Sequence, residues 1–224
     1  MPSALDQQLF LWLNADRGCA ALDMFWAAVS SLDFWFPFFV VAGLLVAWRG
    51  GFRARAMLVC IALSIGIMEA GVINPLKKAF GRPRPHQTLI EARFVDLAPA
   101  RPRLLALGAP PNVRKAEIAP SPAKGKSFPS AHTWNMFAFA TIVTAFYKFR
   151  GAWLYAVAAL VALSRVATGS HWPSDVLFSA VLSVVFTLGL LAAYGWIWRR
   201  VGPRILPGLA ARHPRLFCTS CAGA

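Results

Sequence analysis

The chain has few charged residues, few acidic residues and few cysteines. Charged side chains make up 14% of its 224 residues, whereas a soluble globular domain carries roughly 25%. Nine acidic residues stand against 23 basic ones, which gives a net charge of +14. Four cysteines are too few for a disulfide framework, and the glycines show no three-residue period. These shortages exclude an ordinary soluble domain, a disulfide-rich scaffold and a collagen-like chain.

The residues that are abundant are apolar, and they fall in long runs. Hydrophobic residues make up 58% of the chain, and the mean hydropathy is +0.54. Five runs come near the ~20 residues that a helix needs to cross a ~30 Å hydrocarbon core. They are Phe34–Arg49, Arg55–Pro75, Ser130–Lys148, Ala152–Ala167 and Asp175–Trp198. No strand-like alternation recurs, so we predict an all-α integral membrane bundle of about six helices, in which residues 1–224 form a single domain.

The N-terminal segment contains no clear span. Residues 5–13 mix apolar side chains with Asp6, Gln7 and Gln8, which suits an amphipathic helix at the membrane interface. Residues 20–31 are apolar but short, and they either extend the next span or form part of a sixth. No basic segment precedes an apolar run, so we expect no cleavable signal peptide.

Basic residues divide between the two faces of the predicted bundle. The connections at residues 49–55 and 148–150, together with the chain after Trp198, carry ten basic residues and no acidic one. The opposite face holds a long loop over residues 86–129 and the turn at 164–175, and we expect the loop to be functional because of its length. The positive-inside rule is read from short connections, and it places the first face in the cytoplasm. Residues 200–224 are expected to form a flexible tail.

The order of the spans brings three polar clusters to the long-loop face. These clusters are Lys77 with Arg84-Pro85, then Pro129-Ser130-Ala131-His132, then Ser164-Arg165 with His171 and Asp175. Two reversals of the chain are enough to bring them together, so we expect them to form one site.

The residue types in these clusters suit a phosphoryl group. Lys77, Arg84 and Arg165 supply three positive charges, and arginine can bind two phosphate oxygens at once. Ser130 opens a helix directly after a proline, so its hydroxyl and the following backbone N–H groups form an anion site. Histidines beside such a site indicate nucleophilic attack and proton delivery rather than binding alone.

The spacing of His171 and Asp175 is that of neighbours on a helical turn. From the first turn of a helix, the Asp175 carboxylate is expected to accept a hydrogen bond from one ring nitrogen of His171. That bond would fix the tautomer and leave the other nitrogen nucleophilic.

The three clusters together resemble the signature of a known family. In order they read K-x6-R-P, P-S-x-H and S-R-x5-H-x3-D, over residues 77–85, 129–132 and 164–175. This pattern is similar to that of the type 2 phosphatidic acid phosphatase superfamily, which also includes vanadium haloperoxidases and bacterial acid phosphatases. The matched segments cover 25 residues, and their order and internal spacing make the resemblance specific.

The resemblance implies a role for each residue of the signature. His171 would be the nucleophile that takes the phosphoryl group as a phosphohistidine, Asp175 its orienting partner, and His132 the acid that protonates the departing oxygen. The phosphate oxygens would be held by Lys77, Arg84, Ser130, Arg165 and the backbone N–H of Ala131. The family requires no metal and no other cofactor. It usually has glycine at the position of Ala131, and the added methyl group is expected to affect substrate range.

The resemblance also implies the activity and its location. The expected function is a membrane lipid phosphatase in a bacterial cytoplasmic (inner) membrane, with its active site on the periplasmic face. The substrate stays open among polyprenyl diphosphate, phosphatidic acid, phosphatidylglycerol phosphate and lipid A phosphate. The alternatives are a lipid-to-lipid phosphotransferase and a non-catalytic lipid-binding or transport protein. Nucleic acid is not an expected partner, because the basic loop has almost no interleaved aromatic residues.

Polar residues outside the signature have structural interpretations. Arg82 flanks the first motif and is treated as auxiliary. Glu69 lies inside a span, where it either pairs with Lys77 or binds a neighbouring helix.

Two cysteines near the C-terminus invite comparison with a zinc site. Cys218, Cys221 and His213 offer three potential ligands, whereas a closed structural zinc site has four. We therefore expect this segment to be a loose tail rather than a zinc site. His86 and His213 match no motif and are expected to be structural.

Overall fold

A computed structural model describes residues 2–15, 19–116 and 126–217, and in these residues the predicted helical membrane bundle is confirmed. The helices are α1 (Ala4–Asn14), α2 (Ala20–Ser30), α3 (Leu32–Arg49), α4 (Phe52–Met68), α5 (Asn74–Phe80), α6 (Ala131–Tyr147), α7 (Phe149–Ala152), α8 (Leu154–Ala167), α9 (Pro173–Ile205) and α10 (Pro207–Arg212). The strands are β1 (Arg93–Asp96) and β2 (Asn112–Lys115).

Four helical segments of the described chain are long and apolar enough to cross a membrane. They are Leu32–Arg49, Phe52–Gln87, Phe149–Ala167 and Pro173–Ile205, which contain the first, second, fourth and fifth predicted spans. The third predicted span is α6, whose 17 residues are slightly fewer than the ~20 that a full crossing needs. Helix α6 packs against α4, α8 and α9, so it forms the centre of the bundle.

Small polar side chains line the contact between α6 and α9. Ser179 and Ser183 are fully buried and lie one turn apart on α9. The Ser179 Oγ accepts a hydrogen bond from the Ser130 backbone N–H at 2.8 Å, and the Ser183 hydroxyl donates to the Trp134 carbonyl at 2.6 Å. Small side chains let helix backbones approach closely, and hydrogen bonds between helices stabilise helix association within the membrane. This contact fixes the N-terminus of α6 beside the first turns of α9.

A π-helical segment joins α4 to α5 and carries Glu69. It covers Glu69–Ile73, so the second predicted span continues through α5 as far as Phe80. Gly81 then ends the helix in the left-handed conformation, with φ of 54°, which favours glycine. The chain turns there toward Arg82 and Arg84.

The N-terminal segment forms two separate short helices. An extended backbone at Ser31 separates α2 from α3, so residues 20–30 do not extend the next span. Each of these helices has 11 residues, which is too short to cross a membrane alone. They pack on the bundle, α1 against α8 and α9, and α2 against α8 and β1.

The long loop contains structure that the sequence did not predict. Strands β1 and β2 pair antiparallel, with Arg93 opposite Lys115 and Asp96 opposite Asn112. The Val95 backbone N–H donates to the Thr168 carbonyl at 3.1 Å, which holds β1 against the end of α8. Gly169 follows with φ of 77°, and a Cβ there would lie 2.0 Å from the Arg93 carbonyl oxygen, so only glycine fits. The hairpin thereby anchors the turn that carries His171.

Helical structure also continues further toward the C-terminus than expected. Part of the predicted tail is helical, because α9 extends to Ile205 and α10 covers Pro207–Arg212. The Trp198 indole N–H donates to the His213 carbonyl at 2.8 Å, and the His213 ring stacks on Phe52 at 4.5 Å. Cys218 and Cys221 lie outside the described residues.

Candidate active site

The residues predicted from the three clusters meet at one end of the bundle. Ser130 occupies the N-cap position of α6, Arg165 lies in the last turn of α8, and Asp175 lies in the first turn of α9. Lys77 and Arg84 reach the same place from α5 and the turn that follows it. His132 lies within electrostatic range of three of these positive charges, those of Lys77, Arg84 and Arg165. The topology therefore produces the convergence that the sequence predicted.

His171 is buried in the turn between α8 and α9, with only 3% of its surface exposed. Its Nδ1 lies 2.6 Å from the Ser127 carbonyl oxygen. A carbonyl oxygen can only accept, so Nδ1 carries the proton and Nε2 keeps its lone pair. Burial lowers the pKa of His171 well below 6.5, as do the charges of Arg165 and Arg84, while the bond to Ser127 opposes this shift. The imidazole is therefore neutral near pH 7.

Asp175 does not make the hydrogen bond to His171 that the sequence predicted. Its Oδ2 lies 3.9 Å from the His171 Nδ1, beyond hydrogen-bonding distance. The same oxygen accepts from the Ser127 hydroxyl at 2.5 Å and from the Trp172 backbone N–H at 3.1 Å. The second of these bonds caps α9, and this capping position turns the carboxylate toward Ser127. The expected direct contact is thus replaced by one through Ser127.

Arg82 has a larger part in the site than its sequence position indicated. Its Nη1 donates to the Asp175 Oδ1 at 2.5 Å and to the Ser174 Oγ at 2.8 Å. The guanidinium also lies 5.7 Å from the centre of the Trp172 ring. Arg82 is half-buried and binds Asp175, which makes it a component of the site.

Three site residues were missed in the sequence and Arg82 was assigned only an auxiliary role, and the four differ in the signals that could have revealed them. Arg82 and Ser127 lie next to motif residues, so their proximity was a usable signal. Asp6 and Ser30 come from the N-terminal helices, and nothing in the local sequence links them to the motifs. Asp6 pairs with Arg82, and Ser30 binds Arg165.

Arg165 is fixed by the N-terminal segment. Its Nη1 donates to the Ser30 carbonyl at 3.2 Å and also to the Ser30 hydroxyl. Its Nε is buried, and within the described chain it has no hydrogen-bond partner. A buried donor without a partner is costly, and a bound oxyanion would satisfy it.

Ser130 and Ala131 form the helix end that faces this cluster. Ser130 is fully buried, and its Oγ accepts from the Thr133 hydroxyl at 3.0 Å. Ala131 is the first residue of α6 and packs against the buried cluster around Met68 and Trp134. The Ser130 backbone N–H is already bound to Ser179, so an anion at this end would meet the N–H groups that follow.

Lys77 interacts electrostatically with several charged residues but does not form a close ion pair with Glu69. Glu69, Arg84, Lys126 and Arg165 all act on it electrostatically. Among the described residues, no ion pair within 4.0 Å joins Lys77 to Glu69, so the pairing weighed from the sequence is not observed. Lys126 is a further cation near the site.

An apolar groove opens beside the site. Its volume is about 550 Å³, and it is lined by Phe80, Gly81, Arg82, Pro83, Phe128, Ser174 and Phe178. The three phenylalanines come from the end of α5, the segment before α6, and α9. Arg82 and Ser174 line the groove and belong to the Asp175 network, so the groove adjoins the polar cluster.

His86 lies near the site, where its contacts with Gly169 and Phe94 are structural. Its Nδ1 lies 3.0 Å from the Gly169 carbonyl oxygen, and its ring packs edge-on against Phe94 at 4.8 Å. Across the part of the chain that the structure describes, no group of three or more His, Cys, Asp or Glu side chains is arranged to hold a metal ion.

Comparisons with known proteins agree with this architecture. The lipid A 1-phosphatase of Porphyromonas gingivalis is 29% identical over an alignment of 150 positions, which covers 62% of this chain and 26% of that relative. The chain thus spans about a quarter of the length of this curated relative. A crystal structure of Aquifex aeolicus LpxE has a TM-score of 0.61 and 23% identity, covering 85% of this chain and 96% of that one, which shows a shared fold. A sequence profile described as the PAP2 superfamily matches residues 53–200. Because this match covers more than half of the chain, the protein belongs to the PAP2 superfamily.

Proposed function

We propose that the protein is a membrane lipid phosphatase that hydrolyses a lipid phosphomonoester or diphosphate through a phosphohistidine at His171. One observation carries the proposal. A neutral, buried histidine has its Nδ1 proton engaged by the Ser127 carbonyl, and Arg84 and Arg165 act on it electrostatically. An imidazole with a free lone pair next to cations is suited to attack a phosphate group.

The proposed reaction has two steps. In the first, the His171 Nε2 forms a bond to phosphorus as the bond from phosphorus to the lipid oxygen breaks, and His132 gives its proton to the departing oxygen. In the second, water attacks phosphorus, its proton passes to His132, and the nitrogen–phosphorus bond breaks to release phosphate. Positive charge develops on the His171 ring in the first step, and the Asp175 carboxylate 3.9 Å away stabilises it.

The fixed positive charges support recognition of the phosphate. Lys77, Arg84 and Arg165 stand in the predicted phosphate-binding roles, together with Ser130 and the Ala131 backbone N–H. The Arg165 Nε, which has no hydrogen-bond partner among the described residues, gives this role a specific donor. Charge-assisted hydrogen bonds from such groups stabilise the negative charge on the transferring phosphoryl group. These side chains balance the phosphate charge in the proposed mechanism without a metal ion.

The apolar groove supports a lipid as the carrier of the phosphate. Phe80, Phe128 and Phe178 line a groove that adjoins the polar cluster, so a hydrocarbon chain in it would leave its head group near His171. Apolar contact of this kind favours a lipid over a soluble phosphate. The name of the Porphyromonas gingivalis relative supports lipid A phosphate as the first lipid to test.

Phosphate release by the purified protein tests the proposal. The substrates are lipid A phosphate, polyprenyl diphosphate, phosphatidic acid and phosphatidylglycerol phosphate in detergent micelles. We expect His171→Ala to reduce phosphate release from the preferred lipid roughly 10³-fold or more. His213→Ala is the matched control, because His213 stacks on Phe52 and its carbonyl binds Trp198. Unchanged release by His171→Ala would point instead to a binding or transport protein.

A labelled phosphate distinguishes hydrolysis from transfer to another lipid. The labelled lipid is mixed with an excess of a second, unlabelled lipid that has a free hydroxyl or phosphate. Label found only in free phosphate supports hydrolysis, because water is then the acceptor. Label on the second lipid would replace the proposed hydrolase with a phosphotransferase.

A further inference from the structure

The N-terminal helix α1 turns polar residues toward the protein. Asp6, Phe10 and Asn14 are spaced by four residues, and all three are buried, with Asp6 only 5% exposed. Leu5 and Leu9 are exposed, at 64% and 45%. An amphipathic helix at the membrane interface would keep its carboxylates in water. The burial of Asp6 therefore requires a partner inside the protein.

Asp6 binds both Arg82 and the start of α9. Its Oδ2 accepts from the Arg82 Nη2 at 2.6 Å and from the Ser174 hydroxyl at 2.7 Å. Its Oδ1 accepts from the Ser174 backbone N–H at 2.9 Å. Phe10, one turn later, packs on Trp172 with ring centres 5.5 Å apart. These contacts join α1 to the turn that contains His171.

Arg82 connects Asp6 with Asp175. Its Nη2 binds Asp6, and its Nη1 binds the Asp175 Oδ1 at 2.5 Å. One guanidinium therefore lies between two carboxylates, and the three groups together carry one net negative charge. Asp175 is fully buried and is also held by Ser127, whose carbonyl binds His171. A connected path runs from α1 to the His171 ring.

We propose that Asp6 is a positioning residue of the active site, acting through Arg82 on Asp175; the catalytic part of this inference rests on the proposed function. Because Asp6 shares the charge of Arg82, Asp175 stays only partly neutralised. It can then stabilise the positive charge that develops on His171 during attack. Without the Asp6 charge, Arg82 neutralises Asp175 alone, and that stabilisation weakens. The PAP2 profile begins at residue 53, so a residue outside the matched region completes the site.

A second buried acid in the N-terminal segment provides the matched control. Asp23 of α2 pairs with Arg93 on β1, just as Asp6 pairs with Arg82. Both pairs tie an N-terminal helix to the rest of the protein. Arg93 binds Asn14 as well, and within the described part of the chain none of its hydrogen bonds or ion pairs reaches Asp175 or His171. A purely structural role would therefore give the two acids the same effect on the enzyme.

Steady-state kinetics on the purified full-length protein test the proposal. We expect Asp6→Asn to lower kcat about tenfold with KM within about twofold, since the phosphate-binding cations are untouched. Asp23→Asn should lower the Tm without lowering kcat. In the Arg82→Gln background, Asp6→Asn should have little further effect on kcat, because its route to Asp175 is gone. An unchanged kcat in Asp6→Asn, or an equal loss of kcat in the Arg82→Gln background, overturns the proposal.

Arg82→Lys supplies the same test where Asp6→Asn does not yield folded protein. A lysine retains the charge but lacks the planar fork that spans two carboxylates. We expect kcat to fall about tenfold with little change in KM, and an unchanged kcat again overturns the proposal.

A stability measurement separates this inference from the proposed function. If the wild-type protein releases no phosphate from any lipid, the proposed function is wrong. The connection through Arg82 would still predict that the Tm losses of the Asp6 and Asp175 variants are not additive. Combining Asp6→Asn with Asp175→Asn leaves Arg82 without a carboxylate, so the Tm loss should exceed the sum of the single losses by roughly 2 °C or more. Combining Asp23→Asn with Asp175→Asn should be additive. Additive losses for Asp6 and Asp175 overturn the connection.

Discussion

The carbonyl oxygen of Ser127 lies 2.6 Å from the Nδ1 of His171, so the ring of the proposed nucleophile is held by the backbone. The side chain of the same serine donates to Asp175 at 2.5 Å. Ser127 therefore holds the histidine and the carboxylate in a fixed relation, although they do not bond to each other directly. We therefore expect the segment before α6 to contribute to the proposed catalysis through Ser127, in addition to the proposed phosphate-binding role of Ser130.

Ser127→Ala tests the side-chain half of this arrangement. The backbone bond to His171 survives, but the buried Asp175 carboxylate loses a donor. A hydrogen bond to a charged group contributes about 1.5–3 kcal/mol, so we expect kcat to fall roughly tenfold or more as Asp175 reorients. Ser183→Ala is the control, since its buried hydroxyl also makes a short bond, at 2.6 Å, but to the Trp134 carbonyl. Equal kcat values for the two variants would contradict a role for Ser127.

The sequence predicted the spans and the convergence of the motifs because both depend on local signals. Hydropathy is read within one helix, and the parity of the spans brings Lys77, His132 and His171 to one face. The contacts that orient the site were not predictable in this way. Arg82 binds Asp6 across 76 positions of the chain, and Arg165 binds Ser30 across 135. Such pairs leave no periodic pattern, since they arise only when the helices pack.

The predicted hydrogen bond between Asp175 and His171 was wrong because of where the two residues lie. An i, i+4 spacing predicts neighbours on a helix, but His171 lies in the turn before α9, where helical geometry does not apply. The carboxylate caps the helix instead. The hairpin was missed for a similar reason, because strands of four residues, such as Arg93–Asp96, are too short for alternation to be recognised.

Phe178→Ala tests whether the groove binds the lipid chain. Phe178 is 58% exposed and lines the groove on α9. Loss of its partial apolar contact should raise KM for a long-chain lipid phosphate roughly fivefold, while KM for a short-chain soluble phosphate stays the same. Leu177→Ala is the control, because Leu177 is the neighbouring residue, is 64% exposed, and does not line the groove. Equal shifts for both substrates would assign Phe178 to stability rather than to lipid binding.

Strong chelation is expected to leave phosphate release unchanged. In the proposed mechanism, the charge of the phosphate is balanced by Lys77, Arg84 and Arg165 rather than by a divalent cation. Phosphate release is measured with and without EDTA. In a separate assay, it is measured with and without vanadate. Vanadate forms a trigonal-bipyramidal species that resembles the transferring phosphoryl group, and it should inhibit. Activity lost in EDTA and restored by a divalent cation would show that a metal takes part.

Ser30→Ala is expected to weaken phosphate binding through Arg165. The Ser30 hydroxyl and carbonyl both accept from the Arg165 Nη1, so the guanidinium loses one of two bonds that fix it. We expect KM to rise roughly threefold to tenfold, with a smaller change in kcat. Ser31→Ala is the control, because the Ser31 side chain does not cap α3. Identical KM values for Ser30→Ala and the wild-type protein would show that Arg165 is held without this hydroxyl.

The depressed pKa of His171 predicts how activity responds to acid. Burial and the charges of Arg165 and Arg84 hold this pKa well below 6.5, so the acidic limb of kcat/KM due to His171 should lie below pH 6.5. Arg165→Gln removes one of the charges and should move that limb to higher pH, even as the overall rate falls. An acidic limb above pH 6.5 that does not respond to Arg165→Gln would assign it to another group.

The same pKa has a consequence for stability, with a defined sign. The folded protein favours neutral His171, whereas the unfolded chain binds a proton with a pKa near ~6.5. The contribution of His171 to folding is therefore complete above about pH 6.5 and is lost as the pH falls toward the folded-state pKa. His171→Gln cannot titrate, so its Tm should decline less steeply below pH 6.5 than that of the wild-type protein. Parallel Tm curves for the two proteins across this range would show that the folded state does not disfavour the charged imidazole.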